Sequence, residues 1–209
     1  MLDARALGFT GSNPSRPLFR NLTFTLNAGE SLALVGPENA AKTMLIRILG
    51  GAAREYSGDV LFQGKELRAW SREFFTFTGV VLDPPGLFPQ LSVRENLEYH
   101  ARLYGKPDLE AAASLERCGI AAQANIRAVN LAPEHELLTG LARALMHSPI
   151  LLCIDAPAEG LSPESADRVA AVIRERKAAG QATVLAASND AWAAECCDRT
   201  LDLGAGSAP

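Results

Sequence analysis

Ser31-Leu32-Ala33-Leu34-Val35 is an unbroken apolar run that ends on Gly36. Met44-Leu45-Ile46-Arg47-Ile48-Leu49 then carries a helical apolar pattern, stopped by Gly50-Gly51. Between them lies Gly36-Pro37-Glu38-Asn39-Ala40-Ala41-Lys42-Thr43. A buried strand, a loop opened by glycine and a helix form the context that a phosphate-binding loop requires. In such a loop, glycines let successive backbone N–H groups turn toward phosphate oxygens, and the helix start adds a partial positive charge. Lys42 is placed to reach the β- and γ-phosphates, and Thr43 to ligate Mg²⁺. The glycine framework is incomplete. Ala41 stands where a glycine precedes the lysine, and its methyl is expected to crowd the approach to phosphate. Asn39 stands at a second glycine position, a milder change because asparagine tolerates positive φ.

The rest of the chain alternates strand and helix. Leu22–Leu26 alternates in polarity, and Asn27 and Gly29 supply a turn. Val60–Lys65 reads as a hairpin strand with its turn, and Val80-Val81-Leu82 as a short strand. Helix is expected from about Val93 to Cys118, with breaks at Gly105 and Pro107, and again over Leu137–His147. Ile150–Ile154 and Ala182–Ala186 read as buried strands. Ser162-Pro163-Glu164 opens a helix, with serine as cap and proline in the first turn; Gly180 ends it. This order implies an α/β fold with a mostly parallel, buried sheet.

The 209 residues fit a single domain, and a net charge of −4 supplies no general drive toward nucleic acid. No run approaches the ~18–20 apolar residues that span a bilayer. Met1-Leu2-Asp3-Ala4-Arg5 lacks a signal-peptide pattern, so a cytosolic chain is expected, with any membrane role coming through a partner. Cys118, Cys153, Cys196 and Cys197 form no metal-spaced set and read as reduced, buried thiols. His100 and His147 have no partner by spacing and read as surface or helix-packing residues.

In order and spacing, the chain resembles the ATP-binding subunits of ABC transporters over nearly its whole length. Leu34–Pro37 with Lys42-Thr43 resembles their Walker A region, and Gly86-Leu87-Phe88-Pro89-Gln90-Leu91-Ser92-Val93-Arg94-Glu95-Asn96-Leu97 the segment after their Q-loop. Leu141–Leu145 resembles the helix after their signature motif, Ile150–Asp155 their Walker B strand, Gly160-Leu161-Ser162-Pro163 their D-loop, and Thr183–Asp190 their H-loop strand. The short chain is similar to compact haem-exporter-type ATPases. The resemblance implies one nucleotide-binding domain over 1–209. Its P-loop NTPase core would carry an antiparallel β subdomain and a small helical subdomain at roughly 84–135. It implies ATP and Mg²⁺ as ligands, held by Gly36–Met44 and, for the metal, by Thr43 and Asp155. It also implies a membrane permease and a second ABC-type subunit, in a homo- or heterodimer, as partners. The chain would then sit in the cytoplasm, peripheral on the inner face of the membrane.

The departures from the family pattern are as informative. Asp83 holds the Q-loop glutamine position, where its charge opposes the γ-phosphate. The signature L-S-G-G-Q reads Leu131-Ala132-Pro133-Glu134-His135: Ala132 lacks the hydroxyl, Pro133 lacks an N–H, and Glu134 repels phosphate or simply belongs to a solvated loop with His135. Ala156 holds the Walker B glutamate position and cannot polarise water, a loss of general base that typically costs ~10²–10⁴ in rate. Ser162 holds the D-loop aspartate position and Asn189 the H-loop histidine position. Glu159 points from another part of the loop and is not read as a displaced acid. Near Gly11 the adenine-stacking aromatic is missing, and Phe9 is read as a core strand residue.

The expectation is an ABC-type subunit that binds Mg-ATP weakly or not at all, hydrolyses it little or not at all, and serves as a binding or regulatory partner. The alternative is an active ATPase that energises transport through a separate permease. A soluble ABC protein without a permease has no supporting insertion or basic region.

Overall fold

A computed structural model describes residues 1–11, 17–37, 39–105, 111–155, 161–187 and 190–204. In chain order the elements are β1 (Leu2–Phe9), β2 (Phe19–Leu26), β3 (Ser31–Val35), α1 (Asn39–Leu49), β4 (Ser57–Phe62), β5 (Lys65–Glu66), α2 (Phe74–Phe77), β6 (Thr78–Val81), α3 (Val93–Leu103), α4 (Ala111–Arg117), α5 (Pro133–Leu145), β7 (Leu151–Asp155), α6 (Pro163–Ala178), β8 (Ala182–Ala186), α7 (Asp190–Cys196) and β9 (Arg199–Asp202).

The strands form two sheets. An antiparallel sheet runs β2-β1-β4-β5, and a parallel sheet runs β6-β7-β8-β3-β9. In β2, Phe19, Leu22, Phe24 and Leu26 are buried, the pattern of a strand with one face on a core. In β3, β7 and β8 every residue is buried, which explains their unbroken apolar sequences. Alternate residues of these strands serve different cores. Ala33, Val35, Leu152, Ile154 and Leu185 join the cluster built with α3–α7. Leu32, Leu34, Leu151, Cys153 and Val184 join the cluster shared with α1 and the antiparallel sheet.

Local backbone features follow from single residues. Ala6 adopts φ 47 in β1, breaking its alternation, and Gly58 faces it with φ 76. A Cβ on Gly58 would lie 2.3 Å from the Ala6 carbonyl oxygen, so only glycine fits. Ser92 caps α3 with a reciprocal capping box to Glu95, and Ser162 caps α6 as expected.

The structure corrects the expected start of the second helical stretch. α5 begins at Pro133, not Leu137, because proline at the first helical position loses no intrahelical bond. β1, α7 and β9 had no clear sequence signal: β1 is bulged, α7 is short, and β9 is an edge strand with little burial.

Arg176, in the last turn of α6, is fully buried at 0% exposure. Its guanidinium donates to Thr183 Oγ1 (3.1 Å), Pro149 O (3.1 Å), Gln181 Oε1 (3.1 Å) and Ala182 O (2.8 Å). Burial pushes its pKa down to about 10, so it stays charged at neutral pH and ties α6 to the starts of β7 and β8. Arg176→Met leaves those carbonyls without a donor and is expected to lower stability by about 2–4 kcal/mol; equilibrium urea unfolding measures the loss.

Candidate nucleotide site and the face beside it

The phosphate-loop residues stand at the C-terminal end of β3. Gly36 has φ 120, and a Cβ there would lie 3.0 Å from Asp202 Oδ1 and 3.1 Å from Gly204 N, so glycine is required. Pro37 is exposed, Glu38 lies outside the described residues, and α1 already begins at Asn39. Asn39 is thus the first residue of α1. Ala40 is exposed and Met44 half-buried. Ala41 is buried among the side chains of the α1 core, so the crowding expected of its methyl does not fall on the loop's mouth.

Lys42 is 4% exposed. Its Nζ donates to Gly36 O at 2.9 Å and to Ala187 O at 2.7 Å, joining the loop to the end of β8. Thr43 Oγ1 donates to Asp155 Oδ1 at 3.0 Å, bringing together the two residues assigned to a metal. Burial raises the Asp155 pKa against the Thr43 hydrogen bond, and the exposed Asp83 adds a like-charge effect. A hydroxyl and a desolvated carboxylate, with a second carboxylate nearby, are the hard oxygen donors that Mg²⁺ takes. The residues present fit Mg²⁺ held with a phosphate-bearing ligand.

The alternative of a solvated loop at Glu134 and His135 is ruled out, because both residues lie in the first turn of α5. Ala132 precedes the helix without a side-chain cap and Pro133 takes the first position. His135 N and Glu136 N both donate to Ala132 O. Glu134 Oε2 accepts from Ser162 N (3.1 Å) and Ser165 Oγ (2.8 Å) at the start of α6. Ser162 Oγ in turn accepts from Ser165 N at 3.3 Å. One carboxylate thus bridges two helix N-termini, where negative charge is favoured, and these bonds hold its pKa down to about 2. The α6 start, an available anion site in principle, thus holds an anion that the chain itself supplies. Glu136 and Glu164 add to it.

Farther along α5, Arg143 donates to Pro85 O (2.5 Å) and Gly86 O (3.1 Å). That fixes the segment following Asp83. Beside it is a groove of about 280 Å³ lined by Pro85, Gly86, His100, Tyr104, Arg143 and His147, among others. His100 and His147 are brought together through Tyr104, whose ring lies 4.6 Å from each. Burial pushes the His100 pKa down to about 4. The i,i+4 spacing of His100 in α3 and Tyr104 at its C-terminal cap is the available sequence signal; the approach of His147 is not readable. Phe9 packs 6.3 Å from Phe19 as part of the core. Ala156, Glu159 and Asn189 lie outside the described residues.

The parallel sheet, the loop after β3 and the Lys42–Thr43–Asp155 arrangement define a P-loop nucleotide-binding fold. Residues 19–159 match the family model described as ABC transporter. A fluoroquinolones export ATP-binding protein of Mycobacterium tuberculosis is 29% identical over 199 residues, covering 95% of this chain and 66% of that protein. The pyoverdine export ATP-binding/permease protein PvdT of Pseudomonas fluorescens is 33% identical over 187 residues, covering 84% of this chain and 28% of that protein. The chain thus spans 66% or less of the length of these relatives. A dimeric ATP-binding cassette bound to ADP and Pi superposes with a TM-score of 0.85 at 17% identity, covering 99% of this chain and 95% of that one. A second cassette, cbiO1 of Clostridium perfringens, gives 0.80 at 21% identity, covering 98% and 85%. The chain belongs to the ABC transporter family as an ATP-binding domain.

Because the folded Glu134 pKa is depressed from 4.5 to about 2, its contribution to stability is present above 4.5 and lost as pH falls toward 2. Glu134→Gln is expected to melt below wild type near neutral pH, with the gap closing across that acidic window. Thermal melts of both proteins over a pH series measure it; a gap that is independent of pH contradicts the bridge.

Proposed function

We propose that the chain is the ATP-binding subunit of an ABC exporter that binds Mg-ATP and hydrolyses it negligibly, serving as a binding or regulatory partner. The observation that carries the reading is the Glu134 bridge. In the family the signature segment grips the γ-phosphate of a nucleotide held by the opposite subunit. Here that segment carries a carboxylate already bonded within its own chain. A phosphate approaching it meets repulsion and would have to displace internal hydrogen bonds. The Ala156 and Asn189 substitutions add to this reading, because neither side chain replaces a general base or a charged γ-phosphate ligand.

Retention of Lys42, Thr43 and Asp155 supports nucleotide binding. Thr43 and Asp155 would hold Mg²⁺, which shields phosphate charge when bound. Lys42 would exchange its carbonyl partners, Gly36 and Ala187, for phosphate oxygens. Asp83 opposes the γ-phosphate and so favours weak binding.

A permease at the inner face of the membrane and a second ABC-type subunit are the proposed partners. Among the described residues no helix is long and apolar enough to cross a membrane, so the permease would be a separate chain or segment. Phe88, Tyr99 and Leu103 are exposed on and beside α3, next to the groove; such a patch supports a protein partner. Relatives named for fluoroquinolone and pyoverdine export support the export direction.

Titration with a fluorescent ATP analogue and Mg²⁺ tests nucleotide binding at this loop. Lys42→Ala is expected to lose at least about tenfold in affinity, ~1.4 kcal/mol. Equal affinity of wild type and variant would place any binding elsewhere.

A further inference from the structure

Cys196 closes α7, and Cys197 follows it on the way to β9. The nucleotide reading uses neither residue. Their sulfurs stand 3.8 Å apart. Cys197 is partly exposed and Cys196 is 9% exposed, whereas Cys118 and Cys153 are enclosed at 0%. Two sulfurs bound at ~2.3 Å to one tetrahedral centre, the Zn–S length, stand about 3.8 Å apart. The pair is therefore close to a chelating separation, and a pyramidal three-coordinate centre, with narrower bond angles, draws the sulfurs slightly closer. The contact between the two thiols lowers the Cys196 pKa and, with burial, raises that of Cys197, so Cys196 is the thiol that attacks a soft electrophile first.

The surroundings narrow the ligand. Among the described residues no group of three or more His, Cys, Asp or Glu side chains is placed to hold a metal ion. An ion that needs four protein donors is not served. The neighbouring Asp198 is already engaged: it accepts from Ser31 N (3.0 Å) and Ser31 Oγ (2.8 Å) and pairs with Lys177. A trivalent arsenic that carries one organic substituent needs only two sulfurs.

We propose that Cys196 and Cys197 form a vicinal dithiol site for trivalent organoarsenicals. With an arsine oxide, two As–S bonds form and the arsenic–oxygen bond breaks. Both thiol protons leave with the oxygen as water, and no atom changes oxidation state. The adduct lies at the α7–β9 junction, beside the Asp198–Ser31 contact that anchors the start of β3. It is therefore remote in the chain from Lys42 and does not depend on nucleotide.

Phenylarsine oxide and intact-mass spectrometry test the site without any assay of transport or hydrolysis. The expected result is one arsenical per chain, retained in excess 2-mercaptoethanol and removed by 2,3-dimercaptopropanol. Cys196→Ser and Cys197→Ser should each lose it. Peptide mapping after alkylation of the wild type guards against misfolded variants: the arsenical should protect Cys196 and Cys197 together. The proposal is overturned by absence of an adduct, by reversal with the monothiol, by an adduct that survives either substitution, or by protection of any other cysteine instead.

Discussion

Strand β3 has no side open to water. All five of its residues are buried, its edges pair with β8 and β9, and its faces feed two separate cores. Because the backbone is fixed on both edges, the chain leaves the sheet at Gly36 in a defined direction. The close approach of Asp202 to Gly36 then admits no side chain. α1 follows at once, and its burial sets Lys42 and Thr43 at the mouth of the sheet. The candidate nucleotide site is in this sense a consequence of strand burial: β7 brings Asp155 to the same end, and β8 leads to the Ala187 carbonyl.

The same logic explains the face beside the site. α5 and α6 start near one another, and both starts carry N–H groups without intrahelical partners. A phosphate from a neighbouring subunit is one way to satisfy such an arrangement; an internal carboxylate is another. Glu134 takes the second route, with Ser162 and Ser165 as donors. Glu134 thus ties the start of α5 to the Ser162-capped start of α6. On the proposed function, fold integrity and phosphate recognition are separable at this position.

Much of the fold was legible in the sequence because its strongest signals are local. The unbroken apolar strands, the Ser162-Pro163 cap and the spacing of Gly36, Lys42 and Thr43 each have a direct physical cause, and the structure has all of them. The pairing of Thr43 with Asp155 followed from family order. The start of α5 is not legible because Pro133 reads equally as a breaker and as a first-turn residue. The place of Ala41 in the motif points to the loop, whereas its environment is set by the helix that contains it. The Glu134 bridge and the His100–Tyr104–His147 cluster join residues far apart in the chain, which no periodicity encodes. β9 and α7 are too short to carry a pattern.

Phosphate release by the purified chain at saturating Mg-ATP, wild type against Lys42→Ala, tests the central claim most directly. The account predicts that the two rates are indistinguishable, because nucleotide is held but not broken. Lys42-dependent turnover near ~1 s⁻¹, the low end of typical enzymes, would contradict it and make the chain an active ATPase.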